Sequence, residues 1–485
     1  MKGHKLIELA KTLSEDELKQ FVHFCRFSTY HKKSLTITFA ELLLKLYPDF
    51  KPQKIKKEIV FSKLYPNETF KQKKLYDLIY FEMRLIEEFI AYLDFSNNDF
   101  NQKKHLIAGL RKRNHKTLFA KKLEKANTVL LDQDERDNLF FYNQFLLAAE
   151  SDRYFIMNNL IERNNSIREK VNNLDLFYLS TKLKASCEML SREVLIAEKY
   201  NLDFSRDLVK MIESNHEKYL SHPAIKIYLL IFKLFDDLGE EDLYLRIKKE
   251  LKKDELLFPK NEQKVLYEFL MNYCVGRINF GINKFMSELF GLYKHILGRG
   301  LLIENGQLSQ WTYMNIATLG QRLNKFSWTN KFIIEYNPLL NPVHQENALT
   351  YNTAALHFSM KEYKKALQLL HQVEFIDATY NLGTKSILLK TYYEILDVEP
   401  FPHLVKSFQT YIRTNKLMSK DKKDIYFNMV KYTRLLFNLK LKQKANKRSV
   451  SQADIDRIKK PVMEQRTIAN LNWIMDKISE LENKL

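Results

Sequence analysis

Glycine and proline are scarce in this sequence, with 11 Gly and 10 Pro among 485 residues. Average usage would give about 35 Gly and about 25 Pro in a chain of this length. These two residues supply most tight turns and strand boundaries, and phosphate-binding loops are rich in glycine. The shortage argues against a sheet-rich fold and against a glycine-rich catalytic loop. It favours helices that are joined by short polar turns.

Cysteine and long apolar runs are also in short supply. The three cysteines, Cys25, Cys187 and Cys274, are far apart and odd in number, so they predict no disulfide framework and fit a reducing compartment. The longest apolar-rich stretch, 225–235, is much shorter than the roughly 20 residues that span a bilayer. We therefore expect a cytoplasmic protein that has no membrane partner, and we expect 225–235 to be a helix covered by its neighbours.

Catalytic and ligand-binding motifs are absent from the sequence. It contains no HExxH, CxxC, GxSxG or P-loop pattern. The segment Leu297-Gly298-Arg299-Gly300 matches no nucleotide-binding fingerprint, and His23 and Cys25 are spaced so that they do not share a helix face. The sequence therefore predicts a protein that is not an enzyme, with no catalytic residues, no cofactor and no metal site.

Apolar residues make up 45% of the chain, enough for a substantial core, and they recur with helical spacing from the start. Ser14 and Glu17 form a capping-box pattern, and an apolar stripe from Leu18 to Cys25 follows it. Further helical stripes continue to Leu93. We predict an N-terminal helical domain at 1–95, which ends in a polar linker at 96–102.

One segment near the C-terminal end has the pattern of a helix pair. Tyr363 stands three residues before Ala366 at the start of a second helix, and the small Ala366 allows that helix to pack closely on the first. This unit, at 350–373, resembles a tetratricopeptide-type repeat, and weaker echoes lie about one repeat upstream and downstream. The resemblance implies an all-α protein with an α-solenoid of tetratricopeptide-like helix pairs at 103–443. We expect a polar loop at 440–452 and a C-terminal capping helix at 453–485.

The same resemblance implies where a partner would bind. Solenoids of this kind bind proteins or peptides on their concave surface, so residues of the presumed inner helices are candidates: Asn315, Tyr351 and Asn352. The whole chain also resembles a group of uncharacterised bacterial all-helical proteins, and that resemblance implies an architecture without an activity.

The net charge of +19 is concentrated toward the two ends of the chain. Residues 1–130 hold 26 Lys and Arg against 15 Asp and Glu, and residues 416–460 hold 14 against 4, whereas residues 131–415 hold 35 against 36. Basic ends attract nucleic acids or acidic partners. The candidate basic patch comprises Lys71, Lys73, Lys74, Arg111, Lys112, Arg113, Lys116, Lys121 and Lys122.

Two interpretations of function remain open. The first is a non-enzymatic scaffold or adaptor that binds a protein or peptide through helical repeats. The second is a nucleic-acid-associated helical protein that uses its basic ends. Only 19 of the 78 basic residues are Arg, the side chain that suits phosphate and base recognition, and an AT-rich genome also produces such a Lys-rich composition.

Overall fold

The chain is all-α, as its composition predicts. The computed structural model describes residues 4–27, 34–158, 165–196, 199–373, 378–416, 418–446, 450–465 and 467–484. Within these ranges there are 24 α-helices and a single two-stranded hairpin. No helix in the same ranges is both long and apolar enough to cross a bilayer.

The chain folds into two compact units, Met1–Tyr178 and Leu179–Leu485, and the division falls inside a long helix. The domain boundaries that we draw from the sequence stay predictions. The helices of unit 1 are α1 (Lys5–Ala10), α2 (Glu15–Phe27), α3 (Ser34–Leu46), α4 (Lys57–Leu64), α5 (Gln72–Asn97), α6 (Asp99–Lys112), α7 (Lys116–Leu131), α8 (Asn138–Met157) and the first part of α9 (Ser166–Ile196).

The first five helices share one hydrophobic core. Both hydrogen bonds of the predicted capping box are present: the backbone N–H of Glu17 donates to Ser14 Oγ at 3.2 Å, and that of Ser14 donates to Glu17 Oε2 at 2.7 Å. The apolar stripe behind it is buried, and the Phe21 ring lies 5.3 Å from the ring of Phe89 on α5. The amphipathic pattern of the sequence therefore places these helices correctly.

The predicted linker at 96–102 is wrong as a loop. Helix α5 continues to Asn97 and α6 begins at Asp99, so Asn98 is the one non-helical residue between them. The side chain of Asn98 accepts a hydrogen bond from the backbone N–H of Asn101 at 2.9 Å. This residue caps the new helix, and a polar cluster that is typical of a loop serves here as a tight junction between two helices.

Unit 2 contains the remaining helices and the hairpin. Its elements are the rest of α9, α10 (Asp203–Ser214), α11 (His216–Tyr219), α12 (Pro223–Asp236), α13 (Glu241–Asp254), α14 (Lys260–Asn279), α15 (Phe285–Gly298), β1 (Ile303–Glu304), β2 (Gln307–Leu308), α16 (Gln310–Arg322), α17 (Phe326–Tyr336), α18 (Pro342–Ser359), α19 (Tyr363–Leu370), α20 (Ala378–Ile395), α21 (Pro400–Thr414), α22 (Lys420–Ala445), α23 (Gln452–Glu464) and α24 (Leu471–Glu482).

The predicted buried helix at 225–235 is confirmed as α12, whose side chains from Leu229 to Phe232 are at most 7% exposed. The hairpin is a departure from the expectation that the chain lacks the means to build one. Its turn is Asn305-Gly306, and both residues have positive φ angles, 50° and 76°. That geometry suits the two-residue turn that joins antiparallel strands, and one well-placed glycine is enough to make it.

From α16 onward, helices alternate in their contacts. Helices α16, α18, α20 and α22 each contact the next of the four, while α17, α19 and α21 pack against them from the sequence positions between. The pair α18–α19 is the unit identified in the sequence: α19 begins at Tyr363, and Ala366 is fully buried. A small side chain at that point allows the close approach of the two helices.

The C-terminal end differs from the prediction in two ways. Helix α22 extends to Ala445, so residues 440–445 of the predicted loop are helical, whereas residues 447–449 lie outside the described residues. Lys440 holds this end in place, because its Nζ atom donates to the backbone oxygen of Tyr393 at 3.0 Å. The predicted single capping helix at 453–485 contains two helices, α23 and α24, and the described residues 465 and 467–470 between them are not helical.

The core of unit 1 contains a buried carboxyl group. Glu82 on α5 is fully buried, and among the described residues neither of its carboxylate oxygens has a hydrogen-bond partner. Desolvation raises the pKa of Glu82 well above its usual value, because the charged form is disfavoured away from water. The neutral form is therefore stabilised in the fold. The resulting contribution to stability is fully present below the ordinary carboxyl pKa and is lost as pH rises above it.

We predict that Glu82→Met stabilises unit 1 at neutral pH by about 1–3 kcal/mol, the usual cost of an unsatisfied buried polar group. The advantage of the variant shrinks as pH falls toward the ordinary carboxyl pKa. The rate at which the buried Cys25 thiol is alkylated, followed by mass spectrometry, measures how often this core opens. A stabilised core opens less often, so Cys25 is labelled more slowly in the variant. The buried thiols Cys187 and Cys274 of unit 2 are internal controls whose labelling rates stay unchanged. Equal Cys25 labelling in both proteins at pH 7 contradicts the prediction.

Candidate functional site

A groove of about 900 Å³ lies within unit 2, along the helices that alternate in the sequence. It is lined by the end of α14, by one face each of α16, α18 and α20, by Tyr426 of α22, and by residues 468–473, which include the first turn of α24 and the three residues before it. We call it the unit 2 groove. Helical periodicity explains how each element contributes: Tyr351, Ala355 and Phe358 of α18 are spaced at i, i+4 and i+7, which places them on one face.

The face of α20 repeats this spacing with Gly383, Ile387 and Lys390. The side chain of Tyr351 on α18 packs directly against Gly383, because a Cβ atom at this position would lie 2.3 Å from the hydroxyl oxygen of Tyr351. Tyr351 is 9% exposed, and burial together with the neighbouring phenols of Tyr426 and Tyr380 raises its pKa. The absence of a side chain at Gly383 therefore sets the position of the tyrosine ring that forms the floor of the groove.

Lys390 is half-buried in the groove and makes no ion pair within the described part of the chain. Its Nζ atom lies 4.8 Å from the centre of the Phe358 ring and donates a hydrogen bond to Asn470 Oδ1 at 3.0 Å. Burial lowers the pKa of Lys390 to about 8, an effect that the negative charge of Glu394 opposes. The ammonium group is held in a poorly solvated place without a compensating carboxylate.

The nearby carboxylate is engaged elsewhere. Glu394 Oε1 accepts from Lys477 Nζ at 2.8 Å and from the indole N–H of Trp473 at 3.0 Å. Lys477 also pairs with Glu480 at 2.6 Å, and the hydrogen bonds that it donates to these two carboxylates raise its pKa despite the opposing effect of burial. The two lysines are close in the fold, and they differ in that only Lys477 has carboxylate partners among the described residues.

A non-helical segment of the chain forms part of the wall of the groove. Residues 467–470 pack on α22, where the backbone N–H of Ala469 donates to the backbone oxygen of Ile425 at 3.2 Å. Asn428 Nδ2 donates to the backbone oxygen of Thr467 at 3.3 Å, and the side chain of Ile468 is buried. The segment ends at Asn470, an exposed residue with a φ of 55° that precedes α24. Helix α22 thus holds this segment in place, and Ile468, Ala469 and Asn470 line the groove.

The structure separates the three predicted partner-binding residues. Tyr351 lines the groove, and Asn315 is exposed on α16, one turn before the groove residue Thr318. Asn352 is fully buried, and its Nδ2 atom donates to the backbone oxygen of Ala348 at 2.8 Å, so a partner would not reach it. The reason is that adjacent helical residues point about 100° apart, so Tyr351 and Asn352 do not face the same way.

Arg322, Lys390 and Asn470 line the groove although none of them is among the site residues predicted from the sequence. The spacing of Thr318 and Arg322, four residues apart on α16, is a signal for a shared face. No local pattern connects Lys390 with Asn470, because 80 residues separate them.

The predicted basic patch is divided by its contacts. The Nε atom of Arg111 donates to Glu150 Oε2 at 2.8 Å, and Lys74 pairs with Glu68 at 2.5 Å. Those two cations are therefore compensated within the fold. Lys71 and Lys73 lie exposed at the start of α5. The remaining predicted residues lie exposed around α6 and α7 and, in the ranges that the structure describes, make no ion pair: Lys112, Arg113, Lys116, Lys121 and Lys122.

Another polar cluster joins α14, α15 and the turn at 255–257. Glu255 Oε2 accepts from the Tyr267 hydroxyl at 2.6 Å and lies 3.1 Å from His295 Nε2, and Glu255 also pairs with Arg299. Hydrogen bonds from Tyr267 and His295 keep the pKa of Glu255 below its usual value although burial opposes them. These side chains are hydrogen-bond partners of one another, so the cluster stabilises the packing of α14 and α15 against the turn. No set of three or more His, Cys, Asp or Glu residues suited to a metal ion occurs among the described residues.

Comparison with models of known protein families gave no match, and comparisons with curated proteins and with solved structures gave none either. Similarity to other proteins therefore assigns no activity to the groove.

We predict that Gly383→Ala destabilises unit 2 by about 1–3 kcal/mol, because the added methyl group would overlap Tyr351. In a Tyr351→Ala background the same change becomes stabilising, because the overlap is gone and alanine favours the helix, and urea unfolding followed by far-UV circular dichroism measures both effects. The matched control is Gly291→Ala on α15, where nothing lies within 4 Å of the added atom. That change stabilises the helix by about 0.5–1 kcal/mol. Additive effects of the two changes at 351 and 383 would show that the close approach is unimportant.

Proposed function

We propose that this protein is a non-enzymatic scaffold or adaptor that binds a peptide segment of a partner protein in the unit 2 groove. In this proposal α14–α22 form an α-solenoid of tetratricopeptide-like helix pairs, with inner helices α14, α16, α18, α20 and α22. The support is that these helices alternate in sequence with their partners and that faces of all five line one groove. The last two helices, α23 and α24, then serve as the cap.

The observation that carries the proposal is the mixed lining of the groove. Aromatic side chains such as Tyr351 and Phe358 lie beside exposed polar ones such as Thr318 and Asn472. A lining of this kind offers both the apolar contact and the hydrogen-bonding groups that a peptide segment needs. The groove therefore suits a peptide segment of a partner protein.

We predict that dodecapeptides selected from a random library against the full chain bind through this groove. Thr318→Trp, which places a large side chain at an exposed lining position, weakens their binding at least about 10-fold, a loss of 1.4 kcal/mol or more. Fluorescence anisotropy of labelled peptides provides the measurement.

The control for this prediction is Asn330→Trp, which adds the same side chain at an exposed position of α17 that does not line the groove. Binding that both variants weaken equally, or that neither weakens, contradicts the groove as the site. A library that yields no binding peptide contradicts the proposed function itself.

The basic surface of unit 1 supports a second candidate function, the binding of nucleic acid. Its support is the group of exposed cations without ion pairs in the described ranges around α6 and α7, with Lys112, Arg113 and Lys116 close together at the junction of the two helices. Cations of this kind bind phosphates through the release of counterions.

For this candidate we predict that the triple change of Lys112, Arg113 and Lys116 to Gln weakens binding to a short duplex DNA. The slope of log affinity against log salt becomes shallower by about 1 for each phosphate that the variant no longer neutralises. The control is the triple change of Lys249, Lys252 and Lys253 to Gln on the exposed side of α13, which removes the same charge. Equal losses of affinity in both triple variants indicate non-specific attraction to a basic protein and contradict the candidate.

A further inference from the structure

The charged residues that line the unit 2 groove are all positive among the described residues. Within the ranges that the structure describes, its lining includes two cations, Arg322 and Lys390, and no carboxylate, together with neutral hydrogen-bonding residues such as Gln321 and Ser386. This is unexpected for the middle of the chain, where residues 131–415 balance 35 basic against 36 acidic residues. The local excess of positive charge favours an occupant that carries negative charge.

Lys390 is the half-buried cation of the groove, and in the described part of the chain it has no carboxylate within ion-pair distance. Lys477 of the same unit pairs with both Glu394 and Glu480, whereas the contacts of Lys390 among the described residues are the amide oxygen of Asn470 and the face of Phe358. A half-buried ammonium group loses much of its hydration, and a neutral amide compensates that loss less well than a carboxylate does. The low pKa of Lys390, about 8, agrees with this geometry.

Asn470 has the position and the atom type of a substitute ligand. Its Oδ1 atom accepts from Lys390 Nζ at 3.0 Å, as one oxygen of a carboxylate would. The residue is exposed at the edge of the groove, in the non-helical segment that forms part of its wall. Because this bond joins a charged ammonium group to a neutral amide at an exposed residue, an incoming carboxylate forms the stronger pair and can replace it.

We propose that the unit 2 groove selects a peptide segment that bears a carboxylate, and that this carboxylate displaces the side chain of Asn470 from Lys390. The inference rests on the proposed function of the groove and adds the chemistry of its occupant. Arg322, which is exposed and unpaired in the part of the chain that the structure describes, provides the second positive charge. Asn470 then acts as a built-in competitor that sets the affinity of the groove.

The first test uses the dodecapeptides selected against the full chain. The tightest of them is made again in two forms, one with each Asp and Glu changed to Asn and Gln, the other with its C-terminal carboxylate converted to an amide. We expect at least one form to bind 10-fold more weakly or worse, and the form that does so shows whether the carboxylate comes from a side chain or from a chain end. If both forms bind as tightly as the original, the inference is overturned while the proposed function stands.

The second test changes the competitor. Asn470→Gly removes the amide and keeps the positive φ that glycine adopts readily, so it should strengthen binding of the acidic peptide about 3-fold to 10-fold. Asn470→Asp supplies an internal carboxylate to Lys390 and should weaken binding about 10-fold. The control is Asn472→Asp, which adds the same charge to another exposed lining residue that makes no contact with Lys390.

A third measurement needs no peptide. Acylation of Lys390 by an amine-reactive reagent at pH 8, quantified by mass spectrometry, should be slower in Asn470→Asp than in the wild type, and faster in Asn470→Gly. Equal effects of Asn470→Asp and Asn472→Asp on both peptide binding and Lys390 acylation would overturn the role of Asn470 as a competitor.

Discussion

Packing on several neighbours at once is the constraint on which the groove of unit 2 depends. Helices α18 and α20 each contact the alternate helices before and after them, and each also contacts the helices that are adjacent in sequence. The residues that each of them contributes to the groove share one helix face. Close packing at Gly383 and Tyr351 sets the separation of two such faces. The chemistry available to the groove is therefore limited to four residues or fewer from each of α16, α18 and α20.

Local patterns predicted the elements that depend on local interactions. The capping box at Ser14 and Glu17 and the start of α19 at Tyr363 follow from residues within one or two helical turns, so their sequence signals are complete. The polar residues at 96–102 predict a loop, and this prediction is wrong because an asparagine that caps a helix and one in a loop both occur among polar neighbours. The sequence alone does not distinguish the two. Asn98 satisfies backbone groups of the next helix and leaves no loop.

The groove could be predicted only in part. The repeat pattern predicts that Tyr351 and Asn352 both face a partner. The pattern does not determine which of two adjacent residues faces the groove, and in the structure Asn352 is buried in the core. The pairing of Lys390 with Asn470 and that of Arg111 with Glu150 join residues 80 and 39 positions apart. Such contacts are set by the packing of several helices. Lys390 and Arg111 count equally in the net charge of the sequence. Among the described residues, however, Lys390 has no carboxylate partner, whereas Arg111 is paired with Glu150.

The distribution of tryptophan gives this architecture a spectroscopic property. All three tryptophans, Trp311, Trp328 and Trp473, belong to unit 2, so intrinsic indole emission reports on that unit and is silent about the other. Trp473 lines the groove, and its indole N–H is bonded to Glu394. An occupant that shifts this side chain changes both its exposure to water and the nearby charge, to which the emission maximum responds. The native chain thus carries its own optical probe at the edge of the groove, without any added label.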